Sequence, residues 1–255
     1  MRPIAALLGA AASLLPTVAA AGAWPLAPGE TQLIVKFEEG VATQAFDPEG
    51  VLRDIPERRE RYLSAFAEHG LTDRLTLQAR AGLTSGRDQF VDYEGRGPTE
   101  IGLRYALLRD PRNPVSLYVA AIEPGVGRNG GYPAPEADAP DYELRLLAGR
   151  SGVWRGRSTF VEAQVARVWR SNLPDETRLD ATLGVHFGPR WLVLAQTYAG
   201  RADAETFRSQ WLKAELSVVR ELGADWRLQA GWRVGLAGQE APADSGPVLA
   251  LWRRF

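Results

Sequence analysis

The chain contains no cysteine among its 255 residues. That excludes disulfides, thiolate metal sites, thiol catalysis and a lipid anchor carried on cysteine. Histidine is nearly absent too, with only His69 and His186, and no spacing of ligand residues suggests a metal site. No cofactor is expected. The formal net charge is −1, so there is neither a basic field for nucleic acid nor an acidic tail. Beyond Val18 no apolar run is long enough for a membrane helix, so any spanning must be done by strands.

What is present begins with Arg2, an apolar stretch from Ile4 to Val18, and the small residues Ala19 to Ala23. This is the pattern of a secretory leader, with a small-x-small cleavage site at Ala19-Ala20-Ala21 or at Ala21-Gly22-Ala23. Residues 1–23 are expected to be the leader and residues 24–255 the mature chain, starting near Trp24.

Segment after segment of that mature chain alternates apolar and polar residues. In Leu75-Thr76-Leu77-Gln78-Ala79-Arg80-Ala81 the odd positions are apolar and the even ones polar, and Trp226-Arg227-Leu228-Gln229-Ala230-Gly231-Trp232-Arg233 repeats the pattern. Period two with one apolar face marks a strand between two different solvents. About twelve such strands are read, each near the length of a tilted bilayer crossing. Connectors over residues 41–57, 84–98, 123–141 and 236–247 read as long polar loops, with residues 125–140 the best candidate for disorder. Those at Gly70 to Asp73, Asp110 to Asn113, Phe187 to Arg190 and Glu221 to Asp225 read as short turns. Long loops at one rim and short turns at the other are the arrangement of a barrel. The connector around Gly149 to Arg157 is too long for the short-turn rim. Trp154, Trp169, Trp191, Trp211, Trp226, Trp232 and Trp252 fall mostly near strand ends, where indole rings form girdles at the headgroup level. The expected fold is all-β: a single antiparallel up-and-down transmembrane β-barrel.

With the apolar face toward lipid, the other face lines a lumen. That places Lys36, Glu38, Glu68, Gln78, Arg80, Glu100, Arg104, Glu143, Arg145, Glu162, Gln164, Arg178, Asp180, Lys213, Glu215, Arg227, Gln229 and Arg233 inside. A charge on the lipid face at mid-depth would cost roughly 2–4 kcal/mol, so the choice of face is not arbitrary. Charges of both signs either pair across the interior and fill it, or leave a narrow polar channel. Hydrolytic chemistry would need a serine or threonine near a histidine. Ser64 lies five residues from His69 and Thr182 four before His186, and neither spacing makes a recognisable dyad. The chain does not read as an enzyme.

Phe255 resembles the terminal aromatic by which bacterial outer-membrane barrels are recognised by their assembly machinery. Leu249 and Leu251 keep its spacing, Arg253 interrupts it, and Val248, Ala250 and Trp252 form an equally apolar opposite face. Which face of the last strand meets lipid is left open. Trp24-Pro25-Leu26-Ala27-Pro28-Gly29-Glu30-Thr31-Gln32-Leu33-Ile34 resembles the mature start of a family of proteobacterial outer-membrane barrels. Glu68-His69-Gly70-Leu71-Thr72-Asp73-Arg74-Leu75-Thr76-Leu77 is similar to the turn after their second strand. In that turn Gly70 is expected to permit the reversal and Asp73 to accept a backbone hydrogen bond. The family is similar to the meta-pathway phenol-degradation transporters and to barrels encoded beside exopolysaccharide synthases in biofilm operons. The resemblance implies a passive channel or export component for a small hydrophobic compound or a polysaccharide. Its partners would be outer-membrane lipid, lipopolysaccharide and the assembly machinery. A non-conducting scaffold barrel and a lipid-modifying hydrolase are the alternatives.

Overall fold

The computed structural model describes residues 22–126, 139–203 and 208–255. The expected leader therefore lies, up to residue 21, outside the described residues, and so does most of the loop expected to be disordered. Fourteen strands form one antiparallel sheet. They are β1 (Thr31–Phe46), β2 (Leu52–Gly70), β3 (Leu75–Arg87), β4 (Asp92–Arg96), β5 (Thr99–Leu108), β6 (Val115–Glu123) and β7 (Asp141–Trp154). Then come β8 (Arg157–Trp169), β9 (Glu176–Phe187), β10 (Trp191–Asp203), β11 (Arg208–Glu221), β12 (Trp226–Gln239), β13 (Ala241–Pro242) and β14 (Ser245–Arg254). Each pairs with its neighbour, and β1 pairs with both β2 and β14, so the sheet closes on itself. The short β4 and β13 only extend the walls of β3 and β1, which leaves a closed barrel of twelve strands. Closure removes the exposed strand edges that an open sheet would leave.

The seam is sealed to its last residue. Thr31 N–H donates to the Phe255 carbonyl at 2.8 Å, and Phe255 N–H donates to the Thr31 carbonyl at 3.0 Å. Along β14 the even residues Val248, Ala250 and Trp252 are buried, while Leu249, Leu251, Arg253 and Phe255 are exposed. That settles the face of the last strand. Arg253 is accommodated outside by stacking on Trp226 and Phe255, at 5.0 and 5.1 Å from the ring centroids. Arg220 over Trp191 and Arg157 over Phe187 repeat this at the same rim, at 5.0 and 4.4 Å. Such contacts contribute about 0.5–2 kcal/mol each and let an arginine sit beside an apolar band.

The molecule is inverted relative to a soluble protein. Leu63, Leu83, Ile101, Leu103, Leu144, Val161, Leu179, Leu183, Leu216 and Leu249 are exposed on the outer wall, whereas Arg104, Glu68 and Glu143 are buried inside. Trp154, Trp169, Trp191, Trp226 and Trp232 are exposed, as girdle residues should be. Trp252 departs from that expectation. It is buried in the barrel, where its Nε1–H donates to Gln229 Oε1 at 3.1 Å. Trp211 packs over Gly200 near the opposite rim.

The connectors differ from the sequence reading in an instructive way. The stretch over residues 41–57 is mostly strand: β1 runs to Phe46, β2 starts at Leu52, and the turn covers only residues 47–51. The Asp47 carboxylate builds it, accepting from Val51 N–H at 2.8 Å and Glu49 N–H at 3.1 Å and meeting Arg53 at 2.8 Å. Those bonds, the Val51 amide foremost, hold the Asp47 carboxyl below the usual aspartate range. Residues 84–98 and 236–247 likewise contain β4 and β13 and the ends of long strands. Beyond the apolar band of the outer wall both faces of a strand are polar, so the alternation fades although the hydrogen bonds continue. Glu39, for example, accepts from Arg59 and Arg61 on the next strand, each at 2.9 Å. Around Gly149 to Arg157 there is no long connector. A hairpin projects there, closed by Arg155 and Gly156 at φ 51° and 75°, the left-handed pair of a two-residue turn.

The turn after β2 is also built differently from expectation. Thr72 Oγ1 accepts from Arg74 N–H at 3.2 Å and Leu75 N–H at 3.0 Å, while Asp73 faces Arg109 at 3.4 Å. Thr72 is nearer to the reversing amides than Asp73. Gly70 matters for close approach rather than for an unusual backbone angle, since a Cβ there would overlap the Ala27 carbonyl.

Candidate functional site

Residues 22–30 belong to no strand, and they enter the barrel at the short-turn rim. The chain turns at Gly29, at φ 81°, with Glu30 N–H donating to the Ala27 carbonyl at 3.0 Å and Glu30 Oε1 meeting Arg254 at 2.9 Å. From there it crosses beneath the lumen to the far wall. Trp24 packs edge-on against Phe160 of β8, with ring centroids 5.8 Å apart, and lies over Gly149 of β7. Its Nε1–H donates to the Pro111 carbonyl at 3.0 Å.

Where this segment passes, it completes a layer of buried polar groups, which we call the septum. Arg104 on β5 is its centre and is 1% exposed. The guanidinium meets Glu68 Oε1 of β2 at 2.8 Å, donates to the Trp24 carbonyl at 3.1 Å and donates to the Gly22 carbonyl. Gln78 of β3 donates to the same Glu68 oxygen at 2.5 Å. Ser116 Oγ–H of β6 donates to the Ala23 carbonyl at 2.8 Å, and Ala23 N–H donates to Glu162 Oε2 of β8 at 2.7 Å. An unpaired charge in so dry a layer would be costly, so the bonds to the Gly22–Trp24 backbone are part of what makes it tenable.

Above the septum the lumen opens into a chamber of about 390 Å³. Its apolar lining falls in two patches, Ile34, Phe66 and Trp252 on the neighbouring strands β1, β2 and β14, and Leu147, Phe160 and Leu194 on β7, β8 and β10 across the barrel. The rest is polar, with Lys36, Gln78, Arg145, Gln164, Asp180, Gln196, Tyr198 and Gln229. A second chamber of about 430 Å³ lies toward the long-strand rim. Glu38, Tyr62, Arg80, Glu100, Arg178 and Arg233 line both chambers and so form the ring between them.

The ring is paired side chain to side chain. Arg233 meets Glu215 at 2.7 Å and also Glu38, and Lys36 bridges Glu38 at 2.9 Å and Glu215 at 3.5 Å. Arg145 meets Glu143 at 2.5 Å and donates to Gln164 at 2.9 Å. Arg178 pairs with Glu176 and faces Glu143 at 3.6 Å. Arg80 is the loosest member. Its carboxylate partner Glu100 is 3.9 Å away and accepts a hydrogen bond from Tyr118, while the guanidinium lies 5.2 Å over Phe66.

The residues named from sequence thus sort into levels. Glu68, Gln78, Arg104 and Glu162 meet at or beside the septum. Lys36, Glu38, Arg80, Glu100, Glu143, Arg145, Gln164, Arg178, Asp180, Glu215, Gln229 and Arg233 surround the chambers and ring. Lys213 lines the second chamber toward the long-strand rim, where it binds Asp244 at 2.7 Å, and Arg227 sits apart, binding Glu221 at 3.1 Å at the opposite rim. The sequence reading missed the apolar patches of the chamber and the inward course of Trp24. The pairs weighed for hydrolysis do not assemble: Ser64 and His69 have opposite parity on β2, so they face opposite sides, and His69 Nδ1 lies 2.8 Å from Thr31 Oγ1.

No family model and no curated protein matches the chain. Solved structures do. An outer-membrane channel from Pseudomonas putida F1 aligns with a TM-score of 0.72 at 14% identity, covering 93% of this chain and all of that one. The translocator domain of the autotransporter NalP from Neisseria meningitidis aligns with a TM-score of 0.54 at 12% identity, over 90% of each chain. The KdgM porin aligns with a TM-score of 0.52 at 9% identity, over 88% of this chain and 99% of that one. At these identities the likeness is one of fold, and the fold is that of outer-membrane barrels.

Proposed function

We propose that this protein is an exported outer-membrane barrel that acts as a passive channel for a small, partly apolar solute. The chamber above the septum carries this reading. Its 390 Å³ suits a small molecule, for which sites of roughly 300–1,000 Å³ are usual, and its surface offers aliphatic and aromatic patches set among fixed polar groups. Such a surface accommodates a ring or short alkyl chain with a polar end. The apolar outer wall and its aromatic rims support a place in a bilayer, and the channel and porin among the fold relatives support conduction. Transit requires the Gly22–Trp24 segment to yield, since the wall itself is closed by strand pairing. Uptake by proteoliposomes tests this. Small phenolic or short-chain amphipathic compounds are expected to enter faster than oligosaccharides of equal concentration, and exclusion of both classes would overturn the reading.

A further inference from the structure

We propose that the mature protein begins at Gly22 and that its α-ammonium group is the missing cation of the septum, paired with Glu162. The proposal stands apart from any solute and rests first on a count of buried charge. Two carboxylates, Glu68 and Glu162, are 0% and 3% exposed, and one cation, Arg104, is buried with them. The other nearby cations are engaged: Arg254 on Glu30 at 2.9 Å, and Arg145 on Glu143 at 2.5 Å. Arg104 is bonded to Glu68 and to two carbonyls, which leaves Glu162 with Ala23 N–H and the Gln164 amide but, among the described residues, no cation in contact. A buried carboxylate with neutral donors alone is a costly arrangement, and a positive charge beside it relieves that cost.

The geometry says where the charge sits. The Glu162 carboxylate lies so close to the Gly22 Cα that a Cβ there would overlap it. The Gly22 nitrogen is one bond from that Cα, so a free amine on it is held beside the carboxylate. A side chain at this position would require the Glu162 carboxylate to move, which ties it to the buried layer. A mature chain starting at Trp24 would lose the Gly22 carbonyl that Arg104 uses, the Ala23 carbonyl that Ser116 uses and the Ala23 amide that Glu162 uses. It would also bring an ammonium next to Arg104, whose guanidinium is already 3.1 Å from the Trp24 carbonyl. Ala19-Ala20-Ala21 satisfies the small-x-small rule for cleavage after Ala21. In that step a leader peptidase adds water across the Ala21–Gly22 amide. The C–N bond breaks, the water oxygen stays on Ala21 as part of a carboxylate that leaves with the leader, and both water hydrogens end on the Gly22 nitrogen as an ammonium.

The test uses the barrel purified from outer membranes. Intact mass is expected to match residues 22–255; a mass matching residues 24–255 overturns the proposal without any variant. In the same preparation an amine acylating reagent at neutral pH should label the N-terminus at least about tenfold more slowly in the folded barrel than in the unfolded chain. Glu162→Gln, checked for folding by heat-modifiable gel mobility, should abolish most of that protection. Equal labelling of folded and unfolded wild-type protein, or full protection retained in folded E162Q, would show that no ammonium pairs with Glu162.

Discussion

The septum and the ring above it are made of the same residue types and use them in opposite ways. In the septum Glu68, Arg104 and Glu162 are almost wholly buried, and several of their bonds go to the backbone of Gly22, Ala23 and Trp24. That backbone is held by no strand pairing. In the ring Arg80, Arg178, Arg233, Glu38 and Glu100 face the chambers and pair with other side chains of the wall, among them Glu143, Glu176 and Glu215. The difference separates two tasks. A closed barrel cannot open by moving its wall without breaking strand hydrogen bonds, so in the channel proposed above closure would fall to a piece of chain that polar groups hold in place. Discrimination would then fall to the wall charges, which the paired strands hold.

Breaking the septum should therefore cost far more than breaking the ring. Arg104→Met strips Glu68 and the Gly22 and Trp24 carbonyls of their shared donor, and removal of one partner of a buried pair costs about 3–5 kcal/mol. Urea unfolding in lipid bilayers measures it, and a loss below about 1 kcal/mol would erase the distinction between the two layers. Arg80→Gln is expected to change stability by no more than about 1 kcal/mol, because its one carboxylate partner is distant and the chamber is wet. Its signature is instead a reversal potential displaced toward cation preference in a salt gradient. Selectivity identical to wild type would mean that solutes do not pass this ring.

Period-two patterning made the strands legible wherever lipid and lumen differ, as in β3 and β12. It failed where the contrast vanishes. In Trp191-Leu192-Val193-Leu194-Ala195 both faces are apolar, so nothing distinguishes the inward Leu192 and Leu194 from the outward Trp191. Leu147 and Trp252 escaped for the same reason, and with them part of the apolar lining of the chamber. Beyond the apolar band the contrast fails in the other direction, and residues 41–57 read as loop although they are mostly strand. The course of Gly22 to Trp24 has no local signal at all. It is set by partners on β2, β5, β6 and β8 that only the closed barrel brings together.

Single-channel recording in planar bilayers compares the wild-type barrel most directly with one lacking residues 22–28, the leader being joined to Gly29. A segment that closes the lumen predicts small or rare openings in wild type and a several-fold larger, steadier conductance in the shortened chain. Equal conductance in the two proteins, with both barrels folded, would contradict the account.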